Sequence, residues 1–454
     1  MAFNSEKNTI IIIGGNAAGP AAAAKAKRTD PNARVTLIEA GEFISTGTCE
    51  IPYVLSKEIS DVKKIIFYNN QKFKEEKGVD VLTQNLVESI NRKNKTIQVR
   101  NLNDGSLYTL PFNKLIIATG SKAKKLNNLD VDYSKVFTLK SVKDLIKLQN
   151  FISLRNPSSA VIVGAGYIGL ETAEALMSLN INTTLIEKKD LPFPGCEPEI
   201  QSLILEEIRK KGIDFIGGFS KLDFHFVGES IKIVVDGRII EADFIIQSIG
   251  VEPNSQLAVS AGLSVGNFLG ISVDQKLKTN DPNIFAAGDV IEVTNRITRK
   301  KDYLPFATFA HQFGHIAGTN AAGGNTFYQP VIKNIAVKIF ESTFSSVGIT
   351  KAEADKFGFR TKVVSAVANN IIKVMPASRK VFGKMIVDVS CSKLLGASFW
   401  GGDEVIGYAD LIASFIANDL SAEKLSELYF NYTPPKSPFV NLLSILGRKV
   451  KDER

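Results

Sequence analysis

Short runs of consecutive apolar residues, each ended by a turn that contains glycine, recur along the first two thirds of the chain. The runs at 9–13, 114–120 and 160–163 are of the kind that strands buried on both faces of a parallel sheet require. An alanine-rich segment follows the first run and predicts a helix from Pro20 to about Arg28. The order of strand, turn and helix predicts doubly wound α/β domains.

The pattern changes from about Phe327 onwards. Residues 335–340 and 384–389 alternate in the manner of strands, and residues 408–416 have the periodicity of a helix. No glycine-rich nucleotide loop occurs in this part of the sequence. The last third therefore predicts a separate α+β domain.

The first glycine-containing turn has the context of a dinucleotide-binding loop. A strand precedes it, a helix follows it, and the next strand, at 34–38, ends at an acidic residue that suits an adenosine ribose. Asn16 stands where the middle glycine of the motif is usual. The residues predicted to bind a cofactor here are Gly14, Gly15, Ala18, Gly19 and Glu39.

A second loop, at 164–169, is a full GxGxxG between a strand and a helix. Glu187 ends the following strand and suits a free ribose 2′-hydroxyl, so NADH is favoured over NADPH, although Lys188 and Lys189 beside it would weaken that preference. The predicted cofactor residues of this unit are Gly164, Gly166, Tyr167, Ile168, Gly169, Glu171 and Glu187.

Two such units in one chain predict two bound dinucleotides, one a flavin and the other a nicotinamide. The alternative is a doubly wound domain whose second loop has lost its ligand.

Three further turns follow apolar strands, and the last ends on a carboxylate placed for a polyol such as ribitol. They add Ala118, Thr119, Gly120, Gly250, Gly288 and Asp289 to the predicted cofactor residues.

Cys49 lies shortly after the first nucleotide unit and is a candidate redox centre, because a thiol can exchange electrons as thiolate, disulfide or sulfenic acid. The alternative is a small buried apolar residue. The chain has no CxxC or CxxxxC, which excludes a local dithiol pair. Cys196 and Cys391 are distant in sequence, and we expect both to be structural.

The composition is that of an ordinary folded, water-soluble protein. Of the 454 residues, 44% are hydrophobic and 22% are charged, as is usual for folded proteins. The length is sufficient for two to four domains. The net charge of +8 is scattered, so it favours an anionic small molecule over nucleic acid. Three cysteines indicate a reducing compartment, and without a signal peptide or a membrane-spanning run we expect a cytoplasmic protein that binds neither nucleic acid nor membrane.

The motifs GGNAAG, LIIATGS, IVGAGYIGLE, SIGVEPN and NIFAAGD occur in an order that resembles the flavin-dependent pyridine-nucleotide-disulfide oxidoreductases over nearly the full length. The pattern Ser-x-x-x-Cys-x-x-Pro-Tyr at 45–53 is similar to the single-cysteine branch. That branch includes coenzyme A disulfide reductases, which the chain resembles most, persulfide reductases, NADH oxidases and NADH peroxidases.

The resemblance implies an α/β fold with two Rossmann-like domains and a C-terminal α+β dimerisation domain. The implied FAD-binding domain is discontinuous, at 1–120 and 247–326, the NAD(P)H-binding domain spans 121–246 and the dimerisation domain 327–454. FAD and NADH, with NADPH possible, are the implied cofactors, no metal is implied, and the implied assembly is a homodimer.

The resemblance also implies the reaction and its residues. The enzyme would reduce a disulfide or persulfide of a small thiol, such as coenzyme A, through a mixed disulfide on Cys49. Tyr432, in Tyr-x-Pro-Pro, would reach the cysteine of the partner subunit as a second catalytic residue. The implied substrate-binding residues are Ser45, Arg28, Lys72 and His311.

Ala17 stands where the oxidases and peroxidases of the branch typically carry a histidine, which favours the reductases. Glu50 replaces a small residue after the cysteine, and its charge disfavours the thiolate unless it points away. Val374-Met375-Pro376 replaces the Tyr-Tyr-Pro of the family, and a basic position near 401–404 is absent. The alternatives are an oxidase or peroxidase that cycles Cys49 through sulfenic acid, and an NADH-sensing flavoprotein with little turnover.

Overall fold

The first apolar run becomes the central strand of a five-stranded parallel sheet. The computed structural model describes residues 8–126, 133–227 and 230–452. Its first stretch contains the strands β1 (Thr9–Ile13), β2 (Arg34–Ile38), β3 (Ile44–Thr46), β4 (Ile66–Tyr68), β5 (Asp80–Leu82), β6 (Asn85–Asn91), β7 (Thr96–Asn101), β8 (Leu107–Pro111), β9 (Lys114–Ile117) and β10 (Ser121–Ala123). Its helices are α1 (Ala18–Thr29), α2 (Ile51–Leu55) and α3 (Asn70–Lys77).

The described residues between 133 and 247 build another parallel sheet. Its helices are α4 (Val142–Arg155), α5 (Tyr167–Ser178) and α6 (Pro198–Lys210). Its strands are β11 (Val136–Phe137), β12 (Ser159–Val163), β13 (Asn182–Glu187), β14 (Asp214–Gly217), β15 (Leu222–Val227), β16 (Ser230–Val235), β17 (Arg238–Ala242) and β18 (Phe244–Gln247). The parallel order is β11-β18-β12-β13-β14, and β15, β16 and β17 form a separate antiparallel sheet.

The chain then returns to the first sheet. The returning elements are β19 (Val251–Pro253), α7 (Gln256–Ser260), β20 (Ile284–Ala286), β21 (Val293–Thr294), β22 (Lys301–Asp302) and α8 (Ala307–Ala321). β20 completes the first sheet, in the order β20-β9-β1-β2-β5. β19 pairs antiparallel with β10, so the outgoing and returning connections lie side by side.

The last part is a five-stranded antiparallel sheet covered by helices. Its elements are β23 (Asn334–Ile339), β24 (Ser342–Gly348), α9 (Lys351–Lys356), β25 (Thr361–Asn369), β26 (Lys380–Asp388), β27 (Leu394–Gly401), α10 (Glu404–Ala417) and α11 (Leu442–Asp452). The strand order is β23-β24-β27-β26-β25. One core joins α10 and α11 to this sheet through residues such as Phe399, Ile412 and Leu446.

The fold class is confirmed: two parallel α/β sheets precede an α+β domain. The first helix begins at Ala18, two residues before its predicted start. Pro20 therefore lies in the first turn, where its missing N–H removes no helical hydrogen bond. The domain bounds themselves stay a prediction.

The expectation that Cys391 is a packed structural residue is wrong. Cys391 is exposed in the turn between β26 and β27, whereas Cys196 is half-buried before α6. Burial, and after it the charge of Glu197, raises the pKa of Cys196 to about 12, which suits an inert packed thiol.

No helix in the described ranges is long and apolar enough to cross a membrane.

Candidate active site

Cys49 is held by the first nucleotide loop through Asn16. The Asn16 Oδ1 atom accepts hydrogen bonds from the backbone N–H of Thr46, at 2.9 Å, and from the Thr46 hydroxyl, at 2.8 Å. Thr46 ends β3, three residues before the cysteine. The residue that departs from the glycine motif therefore ties the thiol segment to the loop.

The helix that follows Cys49 packs between the two dinucleotide units. Ile51, Val54 and Leu55 of α2 are buried in one core with Leu170 and Ala173 of α5. Since α5 begins directly after the second glycine loop, this contact places the thiol at the junction of the two units.

The charges around Cys49 hold the proton on its sulfur. The Cys49 side chain is partly exposed, yet burial by the surrounding protein raises the pKa of its thiol. Glu50 and Glu171 raise this pKa further, and Lys140 opposes them. The charge of Glu50 thus acts on the thiol in the direction expected from the sequence, against the thiolate. Lys140 itself pairs with Asp289, at 3.3 Å.

Glu171 is a carboxyl group with an unusual proton affinity. Burial raises its pKa to about 7, and the charge of Glu174 adds to the effect. A hydrogen bond from Tyr53 and the charge of Lys338 act in the opposite direction. The pKa of Tyr53 is raised to about 12, first by burial and then by the charge of Glu171.

The first loop has the backbone geometry that a dinucleotide needs. Gly14 has φ +112°, and a Cβ there would collide with the carbonyl of Ala118. A Cβ on Gly19 would collide with the carbonyl of Gly14. Glu39 accepts the N–H of Gly15 at 2.6 Å, which fixes its carboxylate beside the loop. No side chain caps α1, so its N-terminal N–H groups face the place where a pyrophosphate would lie.

The second loop repeats this geometry. Gly164 has φ +103°, and the space where a Cβ on Gly166 would point is open, as close approach of a phosphate requires. The carboxylate of Glu187 is buried and accepts the N–H of Ala165 at 3.0 Å and that of Lys189 at 3.1 Å. Ile168 and Gly169 lie in the first turn of α5, which no side chain caps.

Tyr167 stands at the point where the predicted cofactor sites meet. It is the first residue of α5, and its ring lies 6.2 Å from that of Phe193. Burial raises the pKa of Tyr167, and the charges of Asp289, Cys49 and Glu171 add to the effect. The same tyrosine is therefore near the thiol and near the carboxylate predicted for a polyol.

The turns between the units meet around the paired connections β10 and β19. The Thr119 hydroxyl donates to the carbonyl of Asn254 at 2.8 Å. Asp289 accepts a hydrogen bond from the Ser121 hydroxyl at 2.9 Å. Positive φ angles of 68°, 98° and 85° occur at Gly120, Gly250 and Gly288, where glycine is strongly preferred.

The predicted substrate residues fall into two groups. Arg28, in the last turn of α1, faces α8, where the rings of His311 and His315 lie 4.5 Å apart. Burial lowers the pKa of His315, and the charges of His311, Arg28 and Lys25 lower it further.

The second group lies beside the paired strands β3 and β4. Ser45 is in β3, and the Lys72 ammonium lies 5.0 Å from the ring centre of Tyr68 at the end of β4. Tyr432 is exposed, with its ring 5.4 Å from that of Phe439, in the connection before α11.

Sequence reasoning missed Lys140, His315 and the roles of Tyr53 and Asn16. Lys140 directly precedes Ser141, the N-cap of α4, and a single lysine at such a position matches no known sequence motif. His315, by contrast, follows His311 at the i, i+4 spacing that places two side chains on one helix face, a signal present in the sequence.

The described part of the chain has no group of three or more His, Cys, Asp or Glu side chains that could hold a metal ion.

Two family profiles match the sequence. The profile described as pyridine nucleotide-disulphide oxidoreductase matches residues 8–314. The profile of the dimerisation domain of the same proteins matches residues 335–440.

Similar proteins carry different names. A protein of Methanocaldococcus jannaschii named NADH oxidase is 30% identical over 96% of this chain and 97% of its own length. A coenzyme A disulfide reductase of Staphylococcus aureus is 28% identical over 97% of this chain and 99% of its own. The structure of an NAD-dependent persulfide reductase from A. fulgidus superposes with a TM-score of 0.94 and 30% identity, covering 98% of this chain and 83% of that one.

Proposed function

Because the chain belongs to the pyridine nucleotide-disulphide oxidoreductase family, we propose that it reduces the disulfide or persulfide of a small thiol such as coenzyme A. The observation that carries this proposal is the placement of one exposed thiol, Cys49, where the two glycine-loop units meet. The relative named coenzyme A disulfide reductase and the structure named persulfide reductase support it.

The enzyme is an oxidoreductase that uses FAD and NAD(P)H, as its family does. FAD fits the first loop, where Gly14 and Gly19 allow the tight turn and Glu39 lies beside it. NADH fits the second loop, beside the open space at Gly166. We propose NADH as the preferred donor, since the buried carboxylate of Glu187 would repel a ribose 2′-phosphate.

FAD, when bound, supplies a carrier that takes a hydride from the nicotinamide and passes an electron pair to sulfur. The Cys49 thiolate attacks one sulfur of the substrate disulfide and forms a mixed disulfide, and the first thiol leaves with a proton. Reduction of the mixed disulfide by the electron pair then releases the second thiol and restores the Cys49 thiolate. Lys140 is the cation that favours this thiolate.

Two tyrosines complete the proposed site. Tyr167 begins the helix after the nicotinamide loop and lies near Cys49, so its ring must move aside before a nicotinamide can approach the flavin. Tyr432 is proposed to protonate the leaving thiolate in the partner subunit's site. Its exposure in the single chain is consistent with that role, and the dimerisation domain supports a homodimer.

The substrate is proposed to be an anionic, phosphorylated thiol. Arg28 lies where its charge reaches His315, whose ring is beside that of His311. Lys72 and Ser45 lie beside the paired strands β3 and β4. Basic and hydroxyl side chains are the groups that phosphate oxygens accept hydrogen bonds from. Two separated groups suit an elongated ligand such as coenzyme A.

An NADH oxidase is the second candidate, because the Methanocaldococcus jannaschii relative carries that name. It would cycle Cys49 through sulfenic acid. Against it, Ala17 precedes α1 at the position of the histidine expected in the oxidases, and its exposed methyl group cannot assist oxygen or peroxide chemistry.

The test is anaerobic. The FAD-loaded enzyme is reduced with NADH or NADPH, coenzyme A disulfide is added, and released thiol is measured for wild type, Cys49→Ser and Cys391→Ser. Cys391 is the matched control because it is also an exposed thiol, far along the chain from the nucleotide loops. We expect rapid release, faster with NADH, in wild type and Cys391→Ser, and none in Cys49→Ser.

Absence of thiol release, together with fast reoxidation by oxygen or peroxide, would overturn the reductase and support the oxidase. Slow reaction with every acceptor would point instead to a protein that senses NADH.

A further inference from the structure

Tyr303 carries a buried hydroxyl group that has no hydrogen-bond partner in the part of the chain that the structure describes. Buried hydroxyl groups in proteins are nearly always hydrogen-bonded, so an exception requires an explanation. The other such atom, Nε of Arg296, belongs to a guanidinium that already donates through Nη2 to Asp419 and to the carbonyl of Ala417. Tyr303 has only one O–H, and that one is left without an acceptor.

The backbone around Tyr303 is fixed by a short pair of strands. β22, which ends directly before Tyr303, pairs antiparallel with β21 and places Asp302 opposite Val293. The Asp302 carboxylate accepts the backbone N–H of Tyr303 at 2.8 Å and a side-chain N–H of Asn295 at 3.1 Å. The point from which the Tyr303 side chain extends is therefore well defined.

The same pairing brings Tyr303 close to the turn that ends on Asp289. Continuing the register by one residue places Tyr303 opposite Glu292, three residues after Asp289. The chain then enters α8, which passes this turn, since a Cβ on Gly288 would lie 3.6 Å from the Cβ of Ala310. Burial raises the pKa of Tyr303, and the charge of Asp289 is the next cause, as expected for neighbours.

Asp289 has one carboxylate oxygen that is bonded and one that is not. Its Oδ2 atom accepts the Ser121 hydroxyl at 2.9 Å and the Lys140 ammonium at 3.3 Å. No hydrogen bond from the described residues reaches Oδ1. Ser121 opposes the rise in the pKa of Tyr303, but the two hydroxyls do not have the geometry of a hydrogen bond. An unused donor on Tyr303 and an unused acceptor on Asp289 are thus neighbours that do not bond each other.

A hydroxyl group of a ligand would satisfy both atoms. A hydroxyl donates one hydrogen bond and accepts two, so it can donate to Oδ1 of Asp289 and accept from the hydroxyl of Tyr303. Because the pKa of Tyr303 is raised, its hydroxyl keeps its proton at neutral pH and is a donor. FAD carries several hydroxyls in its ribityl chain, and Asp289 is the carboxylate predicted to bind such a polyol.

We propose that Tyr303 is a positioning residue for the flavin, and that its hydroxyl donates to a ribityl hydroxyl of FAD that in turn donates to Asp289. Ser121 and Lys140 hold Asp289, and Asp302 holds the backbone of Tyr303, so both groups are in place before the cofactor binds. The proposal rests on the placement of FAD at the first glycine loop and does not depend on the thiol substrate.

FAD binding tests the proposal without turnover. Flavin is removed from the full-length enzyme, and the FAD dissociation constant is measured by fluorescence for wild type and Tyr303→Phe. We expect a constant about three- to tenfold higher in Tyr303→Phe, because one hydrogen bond to the ligand is lost. The midpoint of thermal unfolding of the flavin-free protein should stay the same or rise, because the substitution removes an unpaired buried hydroxyl.

Tyr108→Phe is the matched control, because Tyr108 has a partner within the protein. Its hydroxyl donates to Oδ1 of Asn85 at 2.7 Å in the sheet of β6, β7 and β8. Loss of this bond should lower the unfolding midpoint of the flavin-free protein and leave the FAD dissociation constant unchanged. The same behaviour in Tyr303→Phe would show that Tyr303 has a structural role only and would overturn the proposal.

Three further measurements identify the part of FAD that is bound. Combining Tyr303→Phe with Asp289→Asn should give losses of FAD affinity that are not additive, because both residues hold one hydroxyl. ADP, which has no ribityl chain, should bind equally to wild type and Tyr303→Phe, and the reduction potential of bound flavin should not change. Additive losses, weaker binding of ADP or a shifted potential would overturn the proposal.

The wild-type protein separates this proposal from the placement of the cofactor. A wild type that binds no FAD would overturn both the placement of FAD and the role of Tyr303. A wild type that binds FAD, with an equal dissociation constant in Tyr303→Phe, would overturn the role of Tyr303 alone.

Discussion

Cys49 illustrates at the scale of one residue how the protein controls a reactive thiol. Burial and the charges of Glu50 and Glu171 favour the protonated sulfur, and Lys140 is the cation that opposes them. Since only the thiolate attacks a disulfide, these groups set the fraction of enzyme that is ready to react. Of these charged residues, Glu50 is the one that directly follows Cys49 in the sequence.

We expect Glu50→Gln to lower the pKa of Cys49 and to increase the thiolate fraction below that pKa. Loss of one adjacent charge corresponds to about a three- to tenfold faster reaction with monobromobimane at pH 7.5. Glu42→Gln, at an exposed position earlier in the same segment, is the control. An unchanged rate in Glu50→Gln would show that the charge of Glu50 does not reach the sulfur.

Sequence reasoning found the residues whose chemistry is dictated by local backbone geometry. Gly14, Gly164 and Glu187 belong to a strand, a turn and a helix that are continuous in sequence, so spacing alone identifies them. Lys140 and Glu171 act on Cys49 only because α2 packs against α5. Their influence depends on tertiary contacts, which no local pattern contains.

Close packing of α1 against α8 is the element-scale feature on which the first loop depends. A Cβ on Gly314 would collide with the carbonyl of Ala18, and a Cβ on Gly318 with that of Ala22. The buried alanines of α1 face these glycines, so the two helices approach each other more closely than larger residues allow.

We expect Gly318→Ala to push α1 away and to loosen the flavin site, with FAD affinity reduced about tenfold or more. The ratio of flavin absorbance to protein after dialysis measures this. Gly407→Ala, where a Cβ would meet no atom within 4 Å, is a matched control in α10 and should retain FAD. Equal retention by both variants would contradict the packing argument.

A buried ion cluster fastens the second unit to the antiparallel sheet. Lys384, in β26, lies 2.6 Å from the carboxylate of Glu197 and 2.8 Å from that of Glu199, just before and within α6. Lys384 and Glu197 are almost fully buried. Burial would lower the pKa of Lys384, but its hydrogen bonds to the two carboxylates outweigh this and raise it.

We expect Lys384→Met to lower the free energy of unfolding by about 3–5 kcal/mol at pH 7, because it leaves Glu197 as an uncompensated buried charge. Denaturant unfolding measures the loss. Since the pKa of Lys384 is raised, its contribution is complete below about pH 10 and disappears as pH rises through the folded value. Lys210→Met, which breaks an exposed pair, should leave the free energy of unfolding almost unchanged. Similar losses in both variants would contradict the argument.

The large elements were predictable because their apolar patterns are strong. β1, β2, β23 and α10 were all anticipated to within four residues at either end. The small sheets β6–β8 and β15–β17 were not, since their short, partly exposed strands carry mixed polar patterns. The pairing of β10 with β19 joins segments more than a hundred residues apart, which no local pattern reports.

At the scale of the whole molecule, two chains are proposed to share each active site. Tyr432 and Phe439 leave large apolar surfaces exposed in the connection before α11. Such a surface is typical of an interface. Mixing two inactive variants tests whether Tyr432 serves the partner's site.

We expect dimers that combine one Cys49→Ser chain with one Tyr432→Phe chain to have about half the activity of wild type, since one of their two sites keeps both residues. Equal mixing after dissociation gives about half mixed dimers and hence about a quarter of wild-type activity. Activity no higher than that of the separate variants would show that Tyr432 serves its own chain, or no site at all.

The position of β20 has a consequence for the order of assembly during synthesis. β9 keeps one unpaired edge until residues 284–286 are made, whereas every strand of the second parallel sheet lies between residues 136 and 247. Because domains fold as their residues leave the ribosome, the second parallel sheet is expected to form before the first is complete. A nascent chain paused before residue 284 would expose the unpaired edge of β9, and exposed strand edges promote pairing with other chains and aggregation.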